Sequence, residues 1–518
     1  MKISAKLLAI FLSSVICLSL TACGNNNNSQ QQGEIDNSDV IQVSLNNKTP
    51  VNTDYEGMGA VYHAFATSDD DVLEPYTDEQ IEYEMNSIKK TGCTLVRTMF
   101  YEGWVWDSKS KKVDWNSEGM KGFYKYLDYM KEMDIEVAVN FGWHIMQITS
   151  YDALTAKENF YPALAGSTDW DKCVKAYSEF WSEFIDEVII KRGYDCIKYG
   201  LLFTEPNTGT YADGTKPNTF ESFNKWLDVA KSLDANLKNA NLRDKIKLVG
   251  PNATVDAENW LEWAVEYADD YIDVYAYHSY MRLNSWNDDL YDSEYEKAKT
   301  YIGIIQKTGK PFWYDEGSAY IYGATGGSDK DNPNSNYNTM SGTQIINYYI
   351  MSMNAGIDKV NLWKIADQKY PYYSLTDSGS FTNGVQRDIT LPYLNFTTIP
   401  GPKWYAYTMV ARYLRYSNQT IYEGQSKAGI HSTLVKNENS DYTLIAVNMN
   451  FDDKTVQFNF EEALNDVEMF RKCYDFSKFE ASTKQSLIPI SGKYENISSS
   501  INVDMPAGSI VVCSTIKD

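Results

Sequence analysis

The run Tyr199-Gly200-Leu201-Leu202-Phe203-Thr204-Glu205-Pro206-Asn207 decides the reading of this chain, together with Lys310-Pro311-Phe312-Trp313-Tyr314-Asp315-Glu316-Gly317. Each is a short apolar run that leads into a glutamate. A continuous apolar run of this length between turn residues fits a strand buried on both faces, as in a parallel sheet. A carboxylate just past the last apolar residue then lies at the strand's C-terminal end.

Six more runs of the same kind flank these two: Gly57 to Tyr62, Thr94 to Arg97, Glu136 to Asn140, Ile246 to Gly250, Asp273 to Tyr277 and Lys359 to Trp363. Amphipathic stretches separate them. Thr77-Asp78-Glu79-Gln80 is a capping box, Ile81, Met85 and Ile88 share one helical face, and Gly92 caps the end. The spacing predicts further helices over Trp170 to Ile190, Thr219 to Leu237, Ala257 to Tyr267, Tyr291 to Ile305, Thr343 to Met353 and Pro402 to Leu414. Strand and helix alternating eight times predict an α/β chain with a closed (β/α)8 TIM barrel over residues 51–415. The two glutamates then follow strands four and seven, which face each other across the barrel mouth. An open doubly wound sheet would more often carry a G-x-G-x-x-G loop after its first strand, and Gly57-Met58-Gly59 has no third glycine.

The pattern changes after residue 415. Ile430 to Val435, Tyr442 to Val447, Val456 to Phe460 and Ser509 to Val512 alternate or run short and apolar between turns. Residues 416–518 therefore read as a small antiparallel β-sandwich domain. Residues 40–50 hold one more alternating strand, Val40 to Leu45, which is expected to join that sandwich and tie the two domains together.

The first 22 residues read as a secretory signal: Lys2 and Lys6 precede the apolar stretch Leu7 to Leu20. It ends in Leu20-Thr21-Ala22-Cys23, which resembles the lipobox of bacterial lipoproteins and implies cleavage before a lipidated Cys23. Residues 23–39 are Asn, Gln, Ser and Asp with little to bury, a disordered tether. The expected location is outside the cytoplasm, lipid-anchored to a bacterial membrane and facing outward. The anchor is the sole membrane contact expected, and the chain is read as a monomer.

The formal net charge of −23 disfavours nucleic acid and anionic lipid as partners. It also speaks against strongly anionic glycans. Forty Tyr and thirteen Trp offer flat apolar faces with polar edges, suited to sugar rings. Cys93, Cys173, Cys196, Cys473 and Cys513 match neither a zinc site nor a disulfide scaffold and read as buried thiols, with a Cys473–Cys513 pair left open. Four histidines, none in an H-E-x-x-H pattern, give no metal site, and no cofactor motif is present. The acidic stretches Ser68 to Asp71 and Ser328 to Asn332 read as solvated turns rather than calcium loops.

Two carboxylates across one barrel mouth are what glycosidic bond hydrolysis requires, one to protonate the leaving oxygen and one to attack the anomeric carbon. A separation of roughly 5 Å is the retaining geometry. Burial and a like-charged neighbour are expected to raise the acid's pKa.

On these motifs the chain resembles clan A glycoside hydrolases, retaining (β/α)8 enzymes with catalytic glutamates after strands four and seven. Thr204-Glu205-Pro206-Asn207 is similar to their Asn-Glu-Pro motif, and Asp315-Glu316-Gly317 to their nucleophile strand. The trailing sandwich is similar to the xylosidase- and glucosylceramidase-like branches. The resemblance implies Glu205 as acid/base and Glu316 as nucleophile, acting by double displacement on β-linked neutral saccharides. It also implies an Arg97 that keeps Glu316 ionised, a His278-x-Tyr280 pair at the nucleophile and a Trp363 floor under the sugar. Trp143, His144, Asn207 and His63 are further substrate-binding candidates, and Trp104 and Trp106 either line outer subsites or cover the rim. Thr204 departs from the motif, where Asn would donate to the sugar's 2-hydroxyl. The competing reading is a non-catalytic glycan-binding lipoprotein on a degenerate barrel.

Overall fold

Eight parallel strands close into a barrel in the order in which they occur along the chain. They are β1 (Met58–Val61), β2 (Leu95–Met99), β3 (Glu136–Phe141), β4 (Ile197–Leu202), β5 (Lys247–Ala253), β6 (Val274–Leu283), β7 (Phe312–Ile321) and β8 (Lys359–Leu362). This computed structural model describes residues 40–62, 78–149, 160–208, 213–254, 256–321, 338–367, 376–377, 399–476 and 489–517. Cys23, His63, Thr77 of the capping box and both acidic stretches lie outside the described residues.

Pleat alternation sorts the barrel side chains. Leu95, Ala138, Tyr199, Leu201, Val249, Val274, Ala276 and Trp313 form one closed apolar cluster, which fills the barrel interior. Arg97, Asn140 and His278 are each two strand positions beyond members of this cluster, so they face inward one layer higher, toward the C-terminal mouth. A polar layer on top of an apolar plug is what positions the site.

Two strands run further than the sequence implies. β6 and β7 do not end at Tyr277 and Tyr314 but stay paired to Leu283 and Ile321. The cause is an irregularity at Asp315. Tyr277 pairs with Tyr314, but His278 pairs with Glu316, leaving Asp315 as an extra residue. β7 meets β8 only as far as Gly317 and Leu362, so beyond the barrel it is held by β6 alone. A bulge of this kind turns the strand and re-aims its side chains.

Most helices fall where the periodicity places them. Helix Trp170–Phe184 starts at the Asp169 cap and passes into a π-helical turn, Ile185–Lys191. Helix Tyr291–Ile305 has the expected bounds. Glu118–Glu132 is a helix that the sequence reading passed over, although Ser117 caps it and Met120, Phe123, Leu127 and Met130 give it a buried face. Helix Met340–Ala355 is buried along its full length of 16 residues and carries no charge. It lies between the barrel and the C-terminal sheets, so it has no solvent face to mark with polar residues.

The C-terminal region is two packed sheets. One has seven antiparallel strands and includes Asn52–Tyr55 from the start of the chain, paired with Gln419–Glu423. The other has three, with Ile41–Leu45 running parallel to Lys454–Phe460. Val43, Leu45, Leu434, Leu444, Val456, Phe458, Met469 and Val503 from both sheets share one apolar core. Gln419–Glu423, Val467–Tyr474, Ile490–Ile497 and Ser500–Met505 are strands without a counterpart in the sequence reading. Cys473 and Cys513 lie buried on adjacent strands and are not joined by a disulfide. Among the described residues, no helix is long and apolar enough to cross a membrane.

Candidate active site

Glu205 stands on the turn that leaves β4. Phe203 and Glu205 both have left-handed backbone, with φ of 65° and 47°. Non-glycine residues pay about 1–3 kcal/mol for that region unless neighbours enforce it. Three hydrogen bonds do so: Thr204 N to the Trp143 carbonyl at 2.7 Å, Glu205 N to the Asn252 carbonyl at 3.1 Å, and Asn252 Nδ2 to the Phe203 carbonyl at 2.9 Å. The turn delivers the Glu205 side chain, 30 % exposed, into the mouth.

Glu316 comes from the bulged part of β7 and is nearly buried, with its side chain 8 % exposed. Arg97 Nη1 donates to Glu316 Oε2 at 2.8 Å and Tyr280 OH to Glu316 Oε1 at 2.6 Å. Gly317 has to be glycine here, because a Cβ would run into the Tyr348 hydroxyl and the Ser279 carbonyl.

His278 joins the two glutamates. Its Nδ1 is 3.1 Å from Glu205 Oε1 and 3.5 Å from Glu316 Oε1. The ligand-type atoms of Glu205, His278 and Glu316 all lie within 4.8 Å of one another. The Arg97 guanidinium already supplies positive charge at this point, and His278 Nδ1 faces the glutamates as a hydrogen-bond donor. Beneath them, Asn140 Oδ1 accepts from Arg97 Nε at 2.8 Å, and the Thr204 hydroxyl accepts from Arg97 Nη2 at 3.0 Å and from Asn140 Nδ2. Asp315 is fully buried below Glu316, with Oδ2 3.5 Å from both Arg97 Nη1 and His278 Nε2.

The protonation pattern departs from the sequence expectation. Burial alone would raise the Glu205 carboxyl, but the hydrogen bond and charge of His278 outweigh it and hold Glu205 below the usual carboxylate range. Burial alone would lower the His278 imidazole, but the charges of Glu316 and Asp315 outweigh it and raise it to about 10. The expectation of a raised acid is not met: the neighbouring charges push the Glu205 carboxyl down and the His278 imidazole up.

The remaining candidates divide by position. Trp143 and His144 follow β3 at the mouth, with backbone N–H groups held by Gln147 Oε1 at 2.8 and 3.0 Å. Tyr101 packs on Trp143, ring centroids 5.7 Å apart. Trp363 follows β8, with its N–H bonded to the Gly317 carbonyl at 2.9 Å. Asn207 is engaged with the turn after β5: its Oδ1 accepts from Thr254 N at 2.9 Å and its Nδ2 donates to the Thr254 carbonyl at 3.5 Å. Trp104 is buried against Phe100 and Phe123 as rim packing. Asn140 and Asp315 complete the centre and were not singled out from sequence. Asn140 ends a strand run and Asp315 adjoins Glu316, so both were visible, but neither residue type announces a role at such a place.

An eight-stranded parallel barrel with an appended β region is a fold found among solved glycoside hydrolases. The structure is similar to a GH30 endoxylanase from Clostridium papyrosolvens C71, with a TM-score of 0.57, 15 % identity and coverage of 91 % of this chain and 99 % of the other. It is similar to a GH51 arabinofuranosidase from Xanthomonas axonopodis pv. citri, with a TM-score of 0.59, 12 % identity and coverage of 92 % and 99 %. A monomeric beta-xylosidase from Caulobacter crescentus CB15 aligns with a TM-score of 0.58, 12 % identity and the same coverage. No family model matches the sequence, and no curated protein matches it.

Proposed function

We propose that this protein is a retaining glycoside hydrolase that cleaves β-linked, neutral oligo- or polysaccharides, with Glu316 as nucleophile and Glu205 as acid/base. The observation that carries this reading is that one oxygen of Glu205, one oxygen of Glu316 and a ring nitrogen of His278 lie within 4.8 Å of one another. Retaining enzymes hold their carboxyl groups about 5–5.5 Å apart, whereas inverting ones leave about 6.5–9.5 Å for a water. Arg97 and Tyr280 hold both oxygens of Glu316, which fixes its orientation for attack on an anomeric carbon. Glu205, the more exposed of the two, reaches the leaving oxygen and then the incoming water. Trp143 and Trp363, which follow β3 and β8 at the same end of the barrel, would offer flat rings suited to a sugar face.

The test is hydrolysis of a panel of neutral β-linked oligosaccharides and aryl glycosides, followed by NMR of the first-formed anomer. The expected result is a product with the substrate's anomeric configuration. Inversion, or binding without turnover across the panel, would remove this reading.

The lipobox-like Leu20-Thr21-Ala22-Cys23 supports a further part of the proposal, that the enzyme works outside the cytoplasm on a lipid anchor at Cys23, as a monomer. Cys23→Ala should release the chain from membranes in cell fractionation.

A further inference from the structure

Asp315 is the group in the centre that the two-glutamate scheme leaves without a task. Its side chain is fully buried, and neither carboxylate oxygen has a hydrogen-bond partner among the described residues. A buried carboxylate in that condition is expensive unless nearby charge compensates it. The compensation is two-sided: Oδ2 lies 3.5 Å from Arg97 Nη1 and 3.5 Å from His278 Nε2.

The groups around His278 set where its protons go. Nδ1 faces Glu205 on the turn after β4 and Glu316 on β7. Nε2 faces Arg97 Nη1 on β2, 3.5 Å away, and Asp315 on β7. Tyr280, on the same strand as His278, is bonded to Glu316, and His144 faces Glu205 from the β3 side. With Asp315 removed, Nε2 would face a guanidinium alone, which favours a lone pair there and a neutral ring. With Asp315 present, the negative charge 3.5 Å from Nε2 favours a proton there, and Nδ1 keeps its own N–H toward the glutamates. The bulge that aims Glu316 into the mouth is the same feature that turns Asp315 under the ring.

We propose that Asp315 is a positioning residue that fixes one proton on His278 Nε2, so that the second, on Nδ1, serves as the proton Glu205 donates and recovers. The proposal rests on the glycosidase reading. In the first step the Nδ1–H bond breaks and an O–H bond forms on Glu205 Oε1. That proton passes to the glycosidic oxygen as it leaves with the C–O electron pair, while a Glu316 oxygen bonds to the anomeric carbon. In the second step Glu205 takes a proton from water, the water oxygen displaces Glu316, and the proton returns to Nδ1. No proton is consumed over the cycle, and His278 is neutral only while the glycosyl-enzyme exists.

The charge of His278 is read directly from the ¹⁵N shifts of uniformly labelled protein, which holds only four histidines. In the wild type one histidine, assigned by its loss in His278→Gln, should keep both ring nitrogens protonated from pH 6 to 8. In Asp315→Asn that ring should lose its proton at least one pH unit lower, the effect of one opposite charge at this range. The same variant should lower the basic limb of kcat/KM by at least one unit and slow an alkyl glycoside at least ten-fold at pH 7.5. A 2,4-dinitrophenyl glycoside, which needs no protonation, should change less than three-fold, with KM unchanged for both. A neutral His278 in the wild type overturns the proposal without any variant having to fold. An unchanged pH profile in folded Asp315→Asn overturns it as well. Failure of the wild type to cleave any glycoside would instead remove the glycosidase reading, while the shifts would still report whether Asp315 sets the charge of His278.

Discussion

Arg97 Nη2 donates to the hydroxyl of Thr204 at 3.0 Å, inside the barrel and under the catalytic mouth. Thr204 occupies the place before the proposed acid/base Glu205 where the motif has Asn, and its side chain serves the barrel wall rather than the mouth. With Asn140 Nδ2 as a second donor, the hydroxyl has no lone pair left for a sugar.

Thr204→Val keeps the shape and removes the acceptor for two buried donors. Each orphaned group costs about 1–3 kcal/mol, so a lower midpoint in denaturant unfolding is expected, with Thr204→Ser restoring most of it. Activity should fall in parallel, because Thr204 and Asn140, both accepting from Arg97, orient its guanidinium against Glu316. An unshifted midpoint in Thr204→Val would mean that the Arg97 network does not hold this layer together.

Glu316 and Glu205 should separate in stability though not in activity. Glu205→Gln and Glu316→Gln are both expected to lower kcat by at least about 10²–10⁴-fold on an alkyl glycoside. Glu316→Ala removes the 2.8 Å partner of a fully buried guanidinium and should destabilise the fold by about 3 kcal/mol. Glu205→Ala, at a side chain 30 % exposed, should leave the melting temperature nearly unchanged. Equal melting temperatures for the two alanine variants would contradict the burial that separates them.

Asn207 is expected to act on kcat through Glu205. Its side chain ties the loop after β4 to both backbone groups of Thr254, two residues from the acid/base. Asn207→Ala releases that loop, and a displacement of about 1 Å at a catalytic group can cost on the order of 10²-fold in rate. The expected pattern is a reduced kcat with KM within two-fold of the wild type. A raised KM with normal kcat would instead place Asn207 in contact with the sugar.

The barrel was legible because its strands are buried on both faces and its helices on one, which writes two distinct periods into the sequence. Strands four and seven could be picked out since Glu205 and Glu316 each interrupt an apolar run. What escaped is what periodicity does not encode. The bulge at Asp315 changes register by one residue without any mark in the pattern, so β6 and β7 read as ending where they continue. Helix Met340–Ala355 read three residues short at its start, because an element buried on every side shows no polar stripe to bound it. The proton on His278 was hidden for a further reason. It depends on four charged groups brought together from β2, the turn after β4 and β7, a sum visible only in three dimensions.

Two buried groups, Asp358 and Lys403, should shape the pH dependence of stability, beside the fall between pH 6.5 and about 10 that the raised His278 contributes. Burial raises the Asp358 carboxyl from 3.8 to about 7, although Asn52 Nδ2 and Phe312 N both donate to it at 2.7 Å. Between those values the folded state holds a proton that the unfolded chain has lost, so stability falls as pH rises toward 7. Burial lowers the Lys403 amine, which lies over the Trp286 ring at 4.9 Å, from 10.5 to about 7. Between those values the unfolded chain holds the extra proton, so stability rises as pH climbs from 7. Melting temperatures of the wild type should therefore fall from pH 4 to 7, while from 7 to 10 the rise from Lys403 and the fall from His278 oppose each other. Asp358→Asn should flatten the acid side, where Asp358 links the strand Asn52–Tyr55 to the base of β7. Lys403→Met should turn the alkaline side alone into a fall, because His278 is then unopposed and the amine stands on the helix Pro402–Ala411, far along the chain from Asp358. If Asp358→Asn flattens the alkaline side, or Lys403→Met the acid side, the assignment of these two groups is reversed and the burial argument for both fails.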